Sequence, residues 1–270
     1  MNKPRLLVTG AAGRVGRLLR PILLENYDLH VCDILPVNDL QPGETAIIGD
    51  LADANISRTA VEGVVGVIHL AAAVAPDLSY AASIGPNYQA VLNLLEACRE
   101  FSVERFIFAS SHHAIGLHPL SSEPYDPQCE IAPDGFYGLS KAFGEAACSM
   151  YAHRFGIKCL ILRIGNADEQ VVDGRRERLW VSARDMVQLI GLGLSPEAKT
   201  FEIVYGISEC PDALLKNSPS VESRYQPFDF STDNRSSSFK PLKDILPEEG
   251  AGYIGGYFAK QQLPDPRPAK

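Results

Sequence analysis

The chain has 270 residues, 46% hydrophobic and 21% charged, enough to bury a core without disulfide or metal staples. A net charge of −8 and a pI near 5.3 argue against nucleic acid as a partner, but leave room for an anionic small molecule held by a local arginine cluster. Six cysteines with no CxxC pair fit a reducing compartment without zinc, and no signal-like leader or apolar run of about 18 residues is found, so a cytoplasmic protein away from membranes is expected.

The first element is Arg5–Thr9, a short apolar run read as a buried parallel strand. Gly10, Ala11, Ala12, Gly13, Arg14, Val15 and Gly16 follow, and then a helix-like stretch. In this strand–turn–helix pattern Gly10 makes the tight turn, Gly13 lets backbone approach a pyrophosphate, and Gly16 lets the helix pack on the strand. Leu29–Cys32 is the second strand and ends at Asp33, followed by Ile34. A carboxylate there can hold the adenosine ribose hydroxyls and repel a 2′-phosphate, which favours NAD over NADP.

Thr45–Ile48 is the third strand and leads to Asp50 and Leu51, where Asp50 either caps the next helix or meets an adenine amino group. The fourth strand lies within Val64–Leu70 and ends in Ala71, Ala72 and Ala73, small residues that suit either a flat ligand or tight packing. Ser83–Phe101 reads as one long helix, with Asn87 in its first half facing the cofactor, the lysine or the backbone.

Arg105–Ala109 is the fifth strand and runs into Ser110, Ser111, His112 and His113. Ligands of open parallel sheets bind beyond the carboxyl ends of the strands, which places Ser111 within reach of a substrate oxygen. Adjacent histidines in extended backbone point to opposite sides and make a poor metal site. A loop rich in proline, serine and acids covers residues 117–134. Asp134 is then expected to cap a helix that carries Tyr137 and Lys141 one turn apart on one face. A lysine beside a phenol is expected to lower its pKa and fit it for proton exchange with an alcohol.

The sixth strand, Lys158–Ile164, is followed by Asn166 and by Arg175, Arg176 and Arg178, three arginines able to grip a carboxylate or phosphate or to stay solvated. Ser182 caps another helix, and Phe201–Tyr205 reads as a late strand. Residues 207–245 yield no clear element, and Gly250–Lys270 reads as a loosely held tail.

Strands alternating with helices give an α/β, doubly wound parallel sheet. With Thr9 to Gly16, Asp33, Asp50-Leu51, His69 to Ala72, Asn87, Ser110-Ser111 and Tyr137 to Lys141 in this order, the chain resembles an extended short-chain dehydrogenase/reductase of the NAD-dependent epimerase/dehydratase family. Within that family it is most similar to uronate dehydrogenases, through Phe108 to Ser111, His113, Ile115-Gly116, Pro133 to Gly135, Phe143 to Glu145 and Arg163 to Gly165.

The resemblance implies a single Rossmann-like domain over residues 1–270, with 166–182 and 207–270 forming a small substrate-side lobe and tail, and assembly into a dimer or larger homo-oligomer. It implies NAD held by Gly10, Gly13, Arg14, Val15, Gly16, Asp33, Ile34, Asp50, Leu51, Leu70, Ala71, Ala72, Asn87, Tyr137, Lys141 and Ile164. Catalysis would fall to Ser111, Tyr137 and Lys141. A sugar or sugar acid would meet Val74, Ser111, His112, His113, Asn166 and Arg175, and its hydroxyl would be oxidised. His112 stands where uronate dehydrogenases carry asparagine, and Val74 and Asn166 stand where they carry serine, so the pocket is altered while the cofactor residues match. Two other readings stay open: a nucleotide-sugar epimerase or dehydratase that keeps NAD bound through its cycle, and a non-catalytic NAD-binding protein.

Overall fold

The computed structural model describes residues 3–250 and 252–264. Seven strands form one parallel sheet: β1 Arg5–Thr9, β2 Asp28–Asp33, β3 Glu44–Ile48, β4 Gly66–His69, β5 Arg105–Ser111, β6 Lys158–Ile164 and β8 Phe201–Gly206, in the spatial order 3-2-1-4-5-6-8. Two short strands, β7 Val171–Asp173 and β9 Arg235–Lys240, make a second, parallel pair. Among the described residues the α-helices are α1 Arg14–Leu23, α2 Ala54–Val61, α3 Tyr80–Ser83, α4 Ala90–Glu100, α5 Phe136–Phe155, α6 Gly174–Glu177, α7 Ala183–Leu194 and α8 Pro219–Glu222.

The strands are apolar on both faces because both faces are covered. Leu7, Val67, Phe106, Phe108, Cys159 and Ile161 point into one layer, shared with α2, α4 and α5. Leu6, Val8, Ile68, Ile107, Leu160 and Leu162 point into the other, where Leu19, Leu23, Met186, Leu189 and Ile190 of α1 and α7 meet them. All six cysteines are free, and five of them are buried. Among the described residues no helix is long and apolar enough to cross a membrane.

Where β1 parts from β4 the strand order reverses, and a crevice opens beyond their carboxyl ends. Register brings four strand ends level there: Thr9 pairs with His69, His69 with Phe108, and Ser111 with Ile164. Helix α5 is drawn hard onto β5, since a Cβ on Gly144 would stand 2.1 Å from the Phe108 ring. It is fixed by a buried pair in which Arg163 donates to both carboxylate oxygens of Glu145, at 2.9 and 2.8 Å, while Ser110 donates to the same carboxylate at 2.5 Å.

Four sequence expectations are corrected. Asp134 does not cap α5: the N-cap is Gly135, without a side-chain cap, and the Asp134 carboxyl is committed to His113. The long helix over 83–101 is α3, a π-helical segment Ile84–Gln89, and then α4. Pro86, which has no N–H to give, lies in the π segment, and π turns concentrate where a side chain is being placed. Residues 207–245 contain α8 and β9. Within the tail, Ile254 and Gly256 are buried and Gly256–Lys260 forms a 3₁₀ turn, because Ile254 packs into an apolar cluster with Ile115, Leu179 and Tyr205. Residues 251 and 265–270 lie outside the described residues.

Candidate active site

A cavity of about 320 Å³ opens at the ends of β1, β4, β5 and β6. Ser111, Tyr137 and Lys141 all line it, as do Val74, His112, His113, Asn166 and Arg175, so the expectation that the adjacent histidines point to opposite sides is corrected: they lie in a 3₁₀ turn rather than extended backbone, and their ring centroids are 4.1 Å apart. Two clefts of about 400 and 510 Å³ elsewhere contain none of these residues, so chemistry rather than size marks the site.

Ser111 ends β5, and its hydroxyl accepts from the backbone N–H of His113 at 3.2 Å, starting the 3₁₀ turn His112–Ile115. Tyr137 and Lys141 are presented by the first turns of α5. Asn87 sets the helix in place: its amide brackets Ala73, accepting at 2.7 Å and donating at 2.9 Å, and donates to Ser140 Oγ at 3.0 Å. Ser140 in turn donates to the Tyr137 carbonyl at 2.7 Å. Asn87 thus braces the site from the π segment, with its amide already engaged by the fold.

Burial pushes the Tyr137 phenol up to about 12, with the Ser111 hydroxyl acting in the opposite sense. Burial pushes Lys141 down to about 8. The expectation that Lys141 pulls the phenol down is corrected: its Nζ stands 5.5 Å from the Tyr137 ring centroid and donates to the Ala109 carbonyl at 2.7 Å.

The glycine-rich turn fits a dinucleotide. Gly10 has φ +67°, and a Cβ there would stand 2.7 Å from the Ala71 nitrogen, so a glycine is required. Helix α1 starts at Gly13 with no side-chain cap and no acid in its first turn, which leaves backbone N–H groups for an anion. Asp33 receives the N–H of Ala12 at 2.9 Å and of Leu35 at 3.0 Å, so its carboxylate is held at the end of β2 beside the exposed Ile34. Arg14, Val15, Leu70 and Ile164 line the cavity itself. Asp50 caps its own turn through Ala52, and Leu51 is buried.

The three arginines separate by partner. Arg176 pairs with Asp173, and Arg178 donates to the carbonyls of Asp212 and Ser121. Arg175 is buried against Gly256, where a Cβ would stand 2.6 Å from Cζ, and donates one N–H to the Ile254 carbonyl at 2.6 Å. It forms no ion pair among the described residues, and burial pushes its pKa down to about 10. His112 donates through Nδ1 to the Ile164 carbonyl at 3.1 Å, which leaves Nε2 as an acceptor, and that atom is buried without a partner among the described residues. Asn166 Nδ2 is a buried donor that likewise has no partner among the described residues.

Sequence reasoning missed Asp134, Asp168, Gly255, Tyr257 and Phe258. Asp168 lines the cavity and is paired with Arg14 across its mouth. Gly255, Tyr257 and Phe258 line it from the tail, where the cluster of aromatic residues from Tyr253 to Phe258 was the available signal.

A family model described as the NAD dependent epimerase/dehydratase family matches residues 6–167, more than half of the chain. The chain belongs to this family. As an extended short-chain dehydrogenase/reductase it is an enzyme, and its cofactor is NAD. It is 37% identical over 257 residues to a uronate dehydrogenase of Pseudomonas putida, a match that covers 94% of this chain and 95% of that protein. Its fold superposes on the crystal structure of uronate dehydrogenase from Agrobacterium tumefaciens with a TM-score of 0.88 at 31% identity, covering 97% and 99% of the two chains. A tyrosine-to-alanine mutant of that enzyme complexed with NAD matches with a TM-score of 0.87 at 31% identity, covering 97% and 98%.

Proposed function

We propose that this family member oxidises the anomeric carbon of a hexuronic acid with NAD, giving a lactone. The observation that carries the reading is Arg175, a buried guanidinium on the wall of the Tyr137 cavity that forms no ion pair among the described residues and gives only one N–H to the fold, to the Ile254 carbonyl. Burying a cation is unfavourable until an anion meets it, and a substrate carboxylate would recover that cost through charge-assisted hydrogen bonds. The polar atoms without partners support a hydroxylated ligand: His112 Nε2 can only accept and Asn166 Nδ2 can only donate, and a sugar hydroxyl does both.

In this reading Tyr137, once its own phenolic proton has been released to solvent, takes the proton of the anomeric hydroxyl, and Ser111 holds the same oxygen as its charge develops. Bound NAD would supply the hydride acceptor. Lys141 orients that end of the site from its anchor on the Ala109 carbonyl. The tail covers the cavity and limits water around the transferring proton.

The test is NADH formation with glucuronate and galacturonate against neutral aldoses. A charge-assisted pair contributes about 1.5–3 kcal/mol, so kcat/KM should favour uronates by about 10- to 100-fold. Equal activity on uronates and neutral aldoses would contradict the carboxylate role of Arg175.

A further inference from the structure

The site holds a carboxyl group that the reaction so far leaves without a task. Asp134 is buried, with Oδ2 2.6 Å from His113 Nδ1. Its Oδ1 is enclosed and has no hydrogen-bond partner among the described residues. Three glycines wall it in: a Cβ on Gly116 would stand 2.1 Å from Oδ2, one on Gly255 1.9 Å from Oδ2, and one on Gly138 3.0 Å from Oδ1. Capping does not explain this placement, because α5 begins at Gly135 without a side-chain cap. Enclosing a carboxyl costs more than one neutral hydrogen bond returns, so the arrangement serves something other than stability.

What it serves is the orientation of one ring. His113 packs against His112 and Phe258, with ring centroids 4.1 Å away in each case, and meets the Tyr137 ring edge-on at 5.6 Å. An imidazole has two distinct nitrogens, and the partner of one decides what the other can do.

We propose that Asp134 is a positioning residue for the oxidation: it fixes His113 with Nδ1 toward the fold and leaves Nε2 to accept a hydrogen bond from a substrate hydroxyl beside the reacting carbon. This rests on reading the cavity as a sugar-acid dehydrogenase site.

The surrounding charges set how the pair responds to pH. Burial pushes Asp134 up to about 7 and His113 down to about 3, and Arg175 on α6 lowers both. His112 is held neutral by burial, with His113 and Arg175 adding to that effect. Burial favours the protonated phenol of Tyr137 on α5 and the uncharged amine of Lys141, one turn further on. Near neutral pH the hydrogen-bonded pair therefore exchanges one proton as a unit. With Asp134 ionised, Nδ1 carries the hydrogen and Nε2 accepts. With Asp134 protonated, its own hydrogen fills the bond to Nδ1, and Nε2 becomes a donor that no longer matches the hydroxyl's hydrogen.

The experiment compares Asp134→Asn, His113→Gln and the double variant with the natural chain, and records ¹⁵N spectra of the imidazoles. Each single change should lower kcat/KM for the uronate by about 10- to 100-fold while leaving the NAD dissociation constant within about twofold. The double variant should lose no more than the worse single one. The natural chain should lose kcat/KM as pH falls through about 7, and D134N should lack that fall. Above about pH 8 the His113 spectrum should show Nδ1 protonated and Nε2 bare, and D134N should show mixed tautomers. A natural chain with Nε2 protonated at that pH, or D134N with unchanged kcat/KM and pH profile, overturns the proposal. So does D134N losing NAD affinity and thermal stability in step with activity, which is a purely structural role. A natural chain that oxidises no sugar or sugar acid overturns the functional reading instead, and the ¹⁵N spectra still decide the role of Asp134.

Discussion

The two walls of the crevice are built in different ways. The wall proposed for the cofactor comes from consecutive strand ends, and its geometry is carried by backbone: the left-handed Gly10, the uncapped start of α1, and Asp33 receiving two N–H groups. The wall proposed for the substrate is assembled from side chains of β5, α5, α6 and the tail, far apart in the chain, with Arg175, His113 and Asp134 each held by a neighbour from another segment. A backbone-built wall tolerates little change at its glycines, whereas a side-chain-built wall can change its ligand by single substitutions.

The largest expected effect tests the point where the walls meet. Tyr137→Phe should lower turnover by about 10²–10⁴-fold with NAD affinity nearly intact, as read by steady-state rates and by titration of the cofactor. Full activity in that variant would end the assignment. Next, Arg175→Lys keeps the charge but loses the fork geometry, and should reduce the preference for uronates over neutral aldoses by about tenfold or more, without affecting NAD. A glycine pair then separates the walls. Gly10→Ala should weaken NAD binding and destabilise the fold by about 1–3 kcal/mol, because Cβ meets Ala71 in a left-handed backbone. Gly256→Ala, at φ +60° against Arg175, should spare NAD affinity and lower kcat/KM for the uronate. If both variants lost NAD affinity equally, the distinction between the walls would fail.

The smallest effect is in stability against pH. Burial pushes His69, which shares a hydrogen with Thr9 at 2.7 Å, down to about 3 from the ordinary 6.5. Between those values the unfolded chain binds a proton that the folded chain refuses, so stability is full above about pH 6.5 and is lost as pH falls toward 3. His112 and His113 act in the same sense, while Asp134, raised to about 7, acts in the opposite sense between its ordinary 3.8 and 7. A falling Tm between about pH 6.5 and 4, with a shallower slope in His69→Gln, is expected from calorimetry.

This contrast also explains what could be read from the sequence. The sheet, the glycine turn, Asp33 and the Tyr137–Lys141 pair are local patterns in which spacing fixes geometry, and the structure places them accordingly. Asp134 looked like a helix cap because a carboxyl before a helix is usually one, and its true partner, His113, is brought close only by tertiary packing. The sequence also offered three arginines in one short stretch, but only the positions of Asp173, Asp212 and Ser121 show which of them is left for a ligand. The tail read as loose because glycine and proline lower local propensity, yet packing of Ile254 among Ile115, Leu179 and Tyr205, and of Phe258 against His113, holds its described part.

The central claim is that a hydride leaves the anomeric carbon of a uronic acid for NAD in this cavity. The most direct measurement follows deuterium from glucuronate labelled at that carbon into the nicotinamide, with the sugar product read by NMR. The account predicts deuterated NADH and a lactone in equal amounts. Unlabelled NADH, or none from any uronate, would contradict it.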